Sequence, residues 1–464
     1  MRKLTAQWIA NAVGGELAAD VDAEVTSVEK DSRLVTAGAL YVAFVGERAD
    51  GHEFAPQAFA AGASLALVSQ PVPGPHVLVD DVVAALGSLA QAYVALLRTE
   101  GSITVIGITG SNGKTSTKDL LAQVLPNAIA PQGSFNNEIG LPLTVLRADP
   151  ETEFLVLEMG ASAPGDLAYL TAIAPLDIAV VLTVGTAHLG GYGSPEALAE
   201  EKATLLDGLL PGGTAVLNGD DPRVAVMASR AVLHEDARTT VTFGVGGQGR
   251  TLTARDLRLD AGRASFDVQG GQEHSGRVTL SLIGEHHATN ALAAIAVATV
   301  CGQTLADAAD AVAVAMPLSP HRMALTVRGD GVRILDDSYN ASPESMKAAL
   351  RALKDVADAG RSFAVVGEML EMGDSSLSAH DEIGLDAVRL RIDHLLVVGA
   401  GARAAYVSAV REGSWGEEAA FVATIDEARE FLAGRLTSGD TVLIKGSHGT
   451  GLWKLADELV GEPA

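Results

Sequence analysis

The chain has 464 residues, long for one core and comfortable for about three domains of ~150 residues each. With 48% hydrophobic and 20% charged residues it can bury sizeable cores and is not a disordered polymer. Its 33 Lys and Arg face 58 Asp and Glu, a formal charge of −25. That balance argues against a nucleic-acid binder, and any anionic substrate must be captured by local cations or metal ions.

Residues 1–100 form a first block, in which apolar runs at 40–45 and 65–68 alternate with Ala-rich helical stretches. The turn GERADGH (46–52) and the proline cluster PVPGP (71–75) punctuate it, and a polar hinge at 98–102 closes it. The start, MRKLTAQWIANAVGG, lacks the apolar run of a secretory signal. No apolar run approaches the ~20 residues that span a bilayer; the best candidate, 291–300, reads as a core helix. The one cysteine, Cys301, excludes an internal disulfide, fits a reducing cytoplasmic compartment and reads as a buried, inert thiol. The oligomeric state stays open.

A second block, 101–316, carries strand-like runs at 103–108, 154–157, 178–182 and 214–217. The helical stretches between them give the alternation of a parallel sheet with crossover helices. The part between 239 and 283 alternates more like antiparallel strands with Gly turns, and MPLSP (316–320) reads as a linker. The third block, 317–464, has four candidate strands at 332–335, 363–366, 394–398 and 441–444. Ser342-Pro343 and the capping box from Thr424 to Glu427 mark helix starts there. The expected fold class is α/β in three domains. A small substrate domain precedes a central P-loop-type ATPase domain with a mostly parallel sheet, and a Rossmann-like domain follows.

The strongest chemical signal is VIGITGSNGKT, residues 105–115. An apolar strand runs into a Gly-rich turn, Thr109, Gly110, Ser111, Asn112 and Gly113, and then Lys114-Thr115 and a helix from about Ser116. Glycines let backbone N–H groups approach phosphate oxygens, Lys114 supplies a point charge, and the Thr115 hydroxyl can ligate Mg²⁺. Ile108 stands where the common G-x-x-x-x-G-K-T loop has its first Gly, so the common nucleotide-hydrolase families match less well. Glu158 follows an apolar strand and lies where ligands bind in open α/β sheets; alone, it reads better as a solvated strand-end acid. His188, in VGTAHLGGYG, is ambiguous in the same way.

Several segments together resemble the Mur ligase family, ATP-dependent amide-forming enzymes of peptidoglycan precursor synthesis. They are TGSNGKT, GEHHATNALAA (284–294), HRM (321–323), DSR with VGERADGHEF, NNEIGLPLTVL, LDDSYNASPESM, VVGEMLEMG and IKGSHGTGLW, in order along all three blocks. The resemblance implies ATP and Mg²⁺ as cofactors and UDP-N-acetylmuramoyl-tripeptide and D-alanyl-D-alanine as small-molecule substrates, with no nucleic acid and no membrane insertion. It implies that Asp31, Ser32 and Arg33 belong to the uridine end, and that Asn136, Asn137 and Lys445 lie on the substrate side. Asn290, Arg322 and Asp337 resemble nucleotide contacts. Thr115, Glu158, His188 and Lys202 match the metal side, with Lys202 at a position carbamylated in relatives, and Lys114, Lys202 and His188 form the implied catalytic set; beside Glu200 and Glu201, Lys202 reads equally as an ordinary lysine on a solvated helix face. His287 departs from the family's first Asn, which weakens an adenine contact there. The nearest alternative is the sibling activity that adds lysine or diaminopimelate. Its D-N-P-R motif has only Asp220-Asp221-Pro222-Arg223 as a counterpart, in the central block. A nucleotide-switch module is a second alternative, and it leaves the flanking domains without a role.

Overall fold

The computed structural model describes residues 1–46, 49–185, 192–234, 236–247, 249–357, 360–413 and 418–461. The amino-terminal part forms a five-stranded sheet in the order Glu16–Ala18, His76–Leu78, Leu65–Val68, Ala39–Val42 and Ser27–Glu29, parallel except for its first pair. The apolar run at 40–45 stops pairing at Val42, because Phe44 turns its backbone to Gly51 and Val45 faces solvent.

Helix Val82–Glu100 then starts on Asp81, whose carboxylate accepts from the N–H groups of Val83 and Ala84 at 2.8 and 3.1 Å. It runs through residues 98–100 of the expected hinge and ends at Gly101. On length and composition it is apolar enough to cross a membrane, contrary to the expectation that no segment approaches that length. Its position explains the apolarity. Leu86, Leu89, Tyr93 and Leu97 bury themselves in a core that also holds Val105, Leu141 and Leu167, so one core joins the first two blocks. The Tyr93 hydroxyl donates to the Ala148 carbonyl at 2.7 Å across that joint.

The central sheet has nine strands. Ala128–Ile129, Phe154–Glu158, Thr104–Thr109, Leu176–Val181, Leu209–Asn218 and Thr239–Val245 are parallel, and Leu252–Asp260, Arg263–Gly270 and Glu273–Ile283 close it as an antiparallel meander. Helix His287–Val300, made almost wholly of Ala, Val, Leu and Ile after its first turn, fills the core on the other face. Cys301 follows it; the thiol is only partly buried, and that burial pushes its pKa up to about 12, so it stays protonated.

The carboxy-terminal sheet has the order Ala324–Val327, Arg333–Asp336, Thr441–Lys445, Ser362–Val366, His394–Val398 and Ala419–Val422. Its first and last strands are edges that the four-strand expectation lacks. Thr424 accepts from the Glu427 N–H at 3.2 Å, and the Glu427 carboxylate accepts from the Ala423 N–H at 2.7 Å, which starts helix Ile425–Leu432. Ile283, at the end of the central sheet, is buried among Met323, Leu335, Met346 and Val356 of the last domain. The two domains therefore share apolar contact beside the cleft.

Candidate active site

Strand Thr104–Thr109 delivers the nucleotide loop at its carboxyl end, and helix Lys114–Val124 begins directly at Lys114, two residues before the expected start. Gly113 has φ +87°, and a Cβ there would stand 2.4 Å from Asn290 Oδ1, so only glycine fits beneath that amide. The loop is braced from the next strand: the Ser111 N–H donates to the Thr183 carbonyl at 2.8 Å and the Asn112 N–H to Thr183 Oγ1 at 3.1 Å. Lys114 Nζ donates to the Gly110 carbonyl at 2.7 Å. Its surroundings lower its pKa, chiefly by burial, with Glu158 acting against that shift and Arg322 adding to it.

Glu158, 1% exposed, is the last residue of its strand. One carboxylate oxygen accepts from the Thr115 hydroxyl at 2.9 Å and the other from Asn136 Nδ2 at 2.8 Å. A buried carboxylate beside a hydroxyl offers hard oxygen donors, the set that suits Mg²⁺. Asn137 does not share this position. Its side chain accepts from the Gly140 N–H at 2.9 Å and caps the following helix. His188 lies outside the described residues.

Lys202 is 2% exposed on helix Pro195–Asp207. Burial, then the charge of Lys114, bring its pKa down to about 7, with Glu201 pulling the other way. The two neighbouring acids do not make a solvated face around it. Glu201 is buried and accepts from the N–H groups of Gly165 and Leu167 at 2.9 and 3.0 Å, capping helix Asp166–Ile173, whereas exposed Glu200 pairs with Arg230.

The carboxy-terminal domain closes the site. Arg322 Nη2 donates to Ser134 Oγ at 3.1 Å and Thr115 Oγ1 at 3.3 Å, and its guanidinium lies 4.2 Å over the Tyr339 ring. The Ser342 hydroxyl meets Asn112 Oδ1 at 3.2 Å. Asp337 and Lys445 are one unit: Nζ donates to Asp337 Oδ2 at 2.5 Å and to the Asn340 carbonyl at 2.8 Å, and burial lowers the lysine pKa. Between the domains lies a cavity of about 620 Å³ lined by the loop, Glu158, Asn136, Asn290, Arg322, Asp337 and Lys445.

His287 is neutral in this setting, since burial holds its pKa well below the usual histidine value. Its Nδ1 lies 3.3 Å from Asn290 Nδ2, and its buried Nε2 meets no hydrogen-bond partner among the described residues. Asp31, Ser32 and Arg33 stand apart from the cavity. Arg33 folds back on Asp31 through two side-chain bonds of 2.9 and 2.6 Å and holds that carboxyl at about 2, and the Ser32 hydroxyl donates to Gln57. Sequence reasoning missed Ser134, Tyr339 and Arg223 as cavity residues, although Tyr339 sits inside the quoted LDDSYNA segment. The string Asp220–Arg223 follows strand Leu209–Asn218 of the central domain, away from the place of an acceptor motif in the last domain.

The chain matches three family models in order: the Mur ligase family catalytic domain over residues 24–94, the Mur ligase middle domain over 108–298 and the Mur ligase glutamate ligase domain over 321–448. It is 42% identical to the UDP-N-acetylmuramoyl-tripeptide–D-alanyl-D-alanine ligase of Mycobacterium leprae, covering 100% of this chain and 99% of that one. Its fold is similar to the crystal structure of MurF from Acinetobacter baumannii, with TM-score 0.87, 30% identity and 100% of both chains covered. It is also similar to the MurF ligase of Thermotoga maritima in complex with ADP, with TM-score 0.77, 31% identity and 93% and 96% coverage. With all three models matched and a full-length relative at 42% identity, the chain belongs to the Mur ligase family.

Proposed function

We infer that the chain is an ATP-dependent ligase that joins D-alanyl-D-alanine to UDP-N-acetylmuramoyl-tripeptide in peptidoglycan precursor synthesis. The observation that carries this reading is the 42% identity, over the full length of both chains, to a ligase of that name. The position of Asp220–Arg223 in the central domain weighs against the lysine- or diaminopimelate-adding alternative. A nucleotide switch would leave the Asp337–Lys445 wall of the cavity without a task.

A carboxylate is a poor electrophile, so the reaction proceeds in two displacements. An oxygen of the tripeptide carboxylate attacks the γ-phosphorus of ATP, the P–O bond to ADP breaks, and an acyl phosphate forms. The dipeptide amine then attacks the acyl carbon, the C–O bond to phosphate breaks, and one proton is released as the amide forms. In this reading Lys114 and the loop N–H groups hold the γ-phosphate, and Arg322 closes over Thr115 and Ser134 from the far side. Asn290 and Asp337 bind the nucleotide, and Lys445 holds Asp337 in place from the substrate side.

Thr115 and Glu158 fit a Mg²⁺ ion, and the proposal adds Lys202 as its carbamate together with His188, the latter from the sequence alone. The ion would neutralise charge on the transferring phosphoryl group. The carbamate arises when the neutral Lys202 amine attacks CO₂ and loses one proton, a step that the depressed pKa favours. Asn136 orients Glu158, and Asn137 shapes the loop only by capping. Asp31, Ser32 and Arg33 are assigned to the uridine end within a 1–100 domain, beside a 101–316 ATP domain and a 317–464 ligase domain. A cytoplasmic location fits these substrates and the single protonated thiol. The test is phosphate release from ATP, Mg²⁺ and the nucleotide-tripeptide, with D-alanyl-D-alanine compared against lysine and diaminopimelate. Release dependent on either of the last two instead would overturn the reading.

A further inference from the structure

The helix that follows the nucleotide loop also grips the interdomain linker. The Asp119 carboxylate accepts from the Ser319 N–H at 3.0 Å. Lys118, paired with Asp119, donates to Ser319 Oγ at 3.3 Å and to the Pro131 carbonyl at 3.1 Å. One turn on, the Gln123 amide bonds in both directions with the Met316 backbone, at 3.0 and 2.9 Å. Lys118 is 2% exposed and Asp119 and Ser319 are 7% exposed. A buried ion pair is a poor source of stability, because desolvation offsets most of its attraction. Its geometry gives it a different use.

The three segments it ties together each carry one group of a contact in the cavity. The helix carries Thr115, the segment after Pro131 carries Ser134, and the linker leads to Arg322, and these three meet at 3.1 and 3.3 Å. Within the linker, Met316 and Ser319 are fixed to the central domain, so few bonds separate a fixed point from the Arg322 side chain. We propose that Lys118 and Asp119 are positioning residues for the ligase reaction: they set Arg322 against Thr115 and Ser134 over the bound nucleotide. The inference rests on the ligase reading above. Lys118 and Asp119 are not among the residues that line the cavity; they act through Arg322.

Double-mutant cycles test this, with Lys118→Met and Gln123→Ala each made alone and with Arg322→Ala. Each variant is read by kcat, by KM for ATP, by ADP affinity and by melting temperature. Gln123 is exposed, so its truncation leaves a folded protein for the test even where Lys118→Met does not fold. The expected result is a kcat loss on the order of tenfold for Lys118→Met and a smaller loss for Gln123→Ala, both largely absent when Arg322 is already Ala. Equal fold-losses in both backgrounds, or native kcat and ADP affinity in the folded single variants, would overturn the proposal. Coupling in ADP affinity without any dipeptide-dependent turnover of the wild type would sink the ligase reading and leave the positioning role standing.

Discussion

Lys114 and Lys202 are both lysines held by protein rather than water, and their surroundings predict different experiments. Among the described residues Lys114 Nζ donates to the loop's own Gly110 carbonyl, and Lys114 is not part of a hydrophobic core. Lys114→Ala is therefore expected to fold normally while losing on the order of 10²–10³ in turnover, the usual effect of removing one preorganised charge. Native turnover in the folded variant would remove Lys114 from the phosphate site. For Lys202 the observable is stability against pH. An unfolded lysine keeps its proton to about 10.5, whereas the folded one releases it near 7. The unfolded chain thus binds more protons between these values, so stability rises with pH across that window, and the cost of the buried charge is full below about 7. In CO₂-free buffer, the melting temperature of Lys202→Met minus that of wild type should grow as pH falls from about 10 to about 7 and then level off. A difference that stays flat over the same range would place the Lys202 amine in water.

At the scale of elements, the nucleotide loop was legible because all its information is local: a strand over Thr104–Thr109, a tight glycine turn and a helix that starts at Lys114. Gly113 shows how narrow that fit is. Gly113→Ala would place a side chain at φ +87° and 2.4 Å from Asn290 Oδ1. The left-handed backbone alone costs ~1–2 kcal/mol for an L residue. We expect a lower melting temperature and an ADP affinity reduced on the order of tenfold. Adding Asn290→Ala should recover only part of the stability, since it removes the clash and leaves the backbone strain. Full recovery would mean that the backbone is unstrained. What was not legible depended on long-range partners. Asn136 and Asn137 are identical neighbours, and only the turn decides that one meets Glu158 and the other caps a helix. Asp337 and Lys445 lie 108 residues apart in separate segments, yet strands Arg333–Asp336 and Thr441–Lys445 pair in register and bring them together. The edge strands Ala324–Val327 and Ala419–Val422 escaped notice because partly exposed edges need no unbroken apolar run.

For the whole molecule, the question is how the last domain moves. The sequence reads residues 316–320 as the linker to that domain, and a linker is the natural place for a hinge, but Met316 and Ser319 are bonded to the helix after the nucleotide loop. The rotation must therefore be absorbed beyond Ser319. His321 and Met323 both hold positive φ there, +59° and +51°, on either side of Arg322. Such backbone is strained for side-chain-bearing residues and persists only where the surroundings impose it, here the closed contacts of Arg322 and Ser342 with the central domain. Opening would release that strain and break those polar contacts, and nucleotide in the cavity would restore closure by bridging both walls. Small-angle scattering should show a smaller radius of gyration with ADP, Mg²⁺ and nucleotide-tripeptide than without. Arg322→Ala should weaken that compaction, and His321→Gly should shift the ligand-free protein toward the closed form by removing the cost of positive φ there. A ligand-free protein already as compact as the liganded one, with no response in either variant, would show that the domains stay closed throughout the cycle and that substrates enter without rotation.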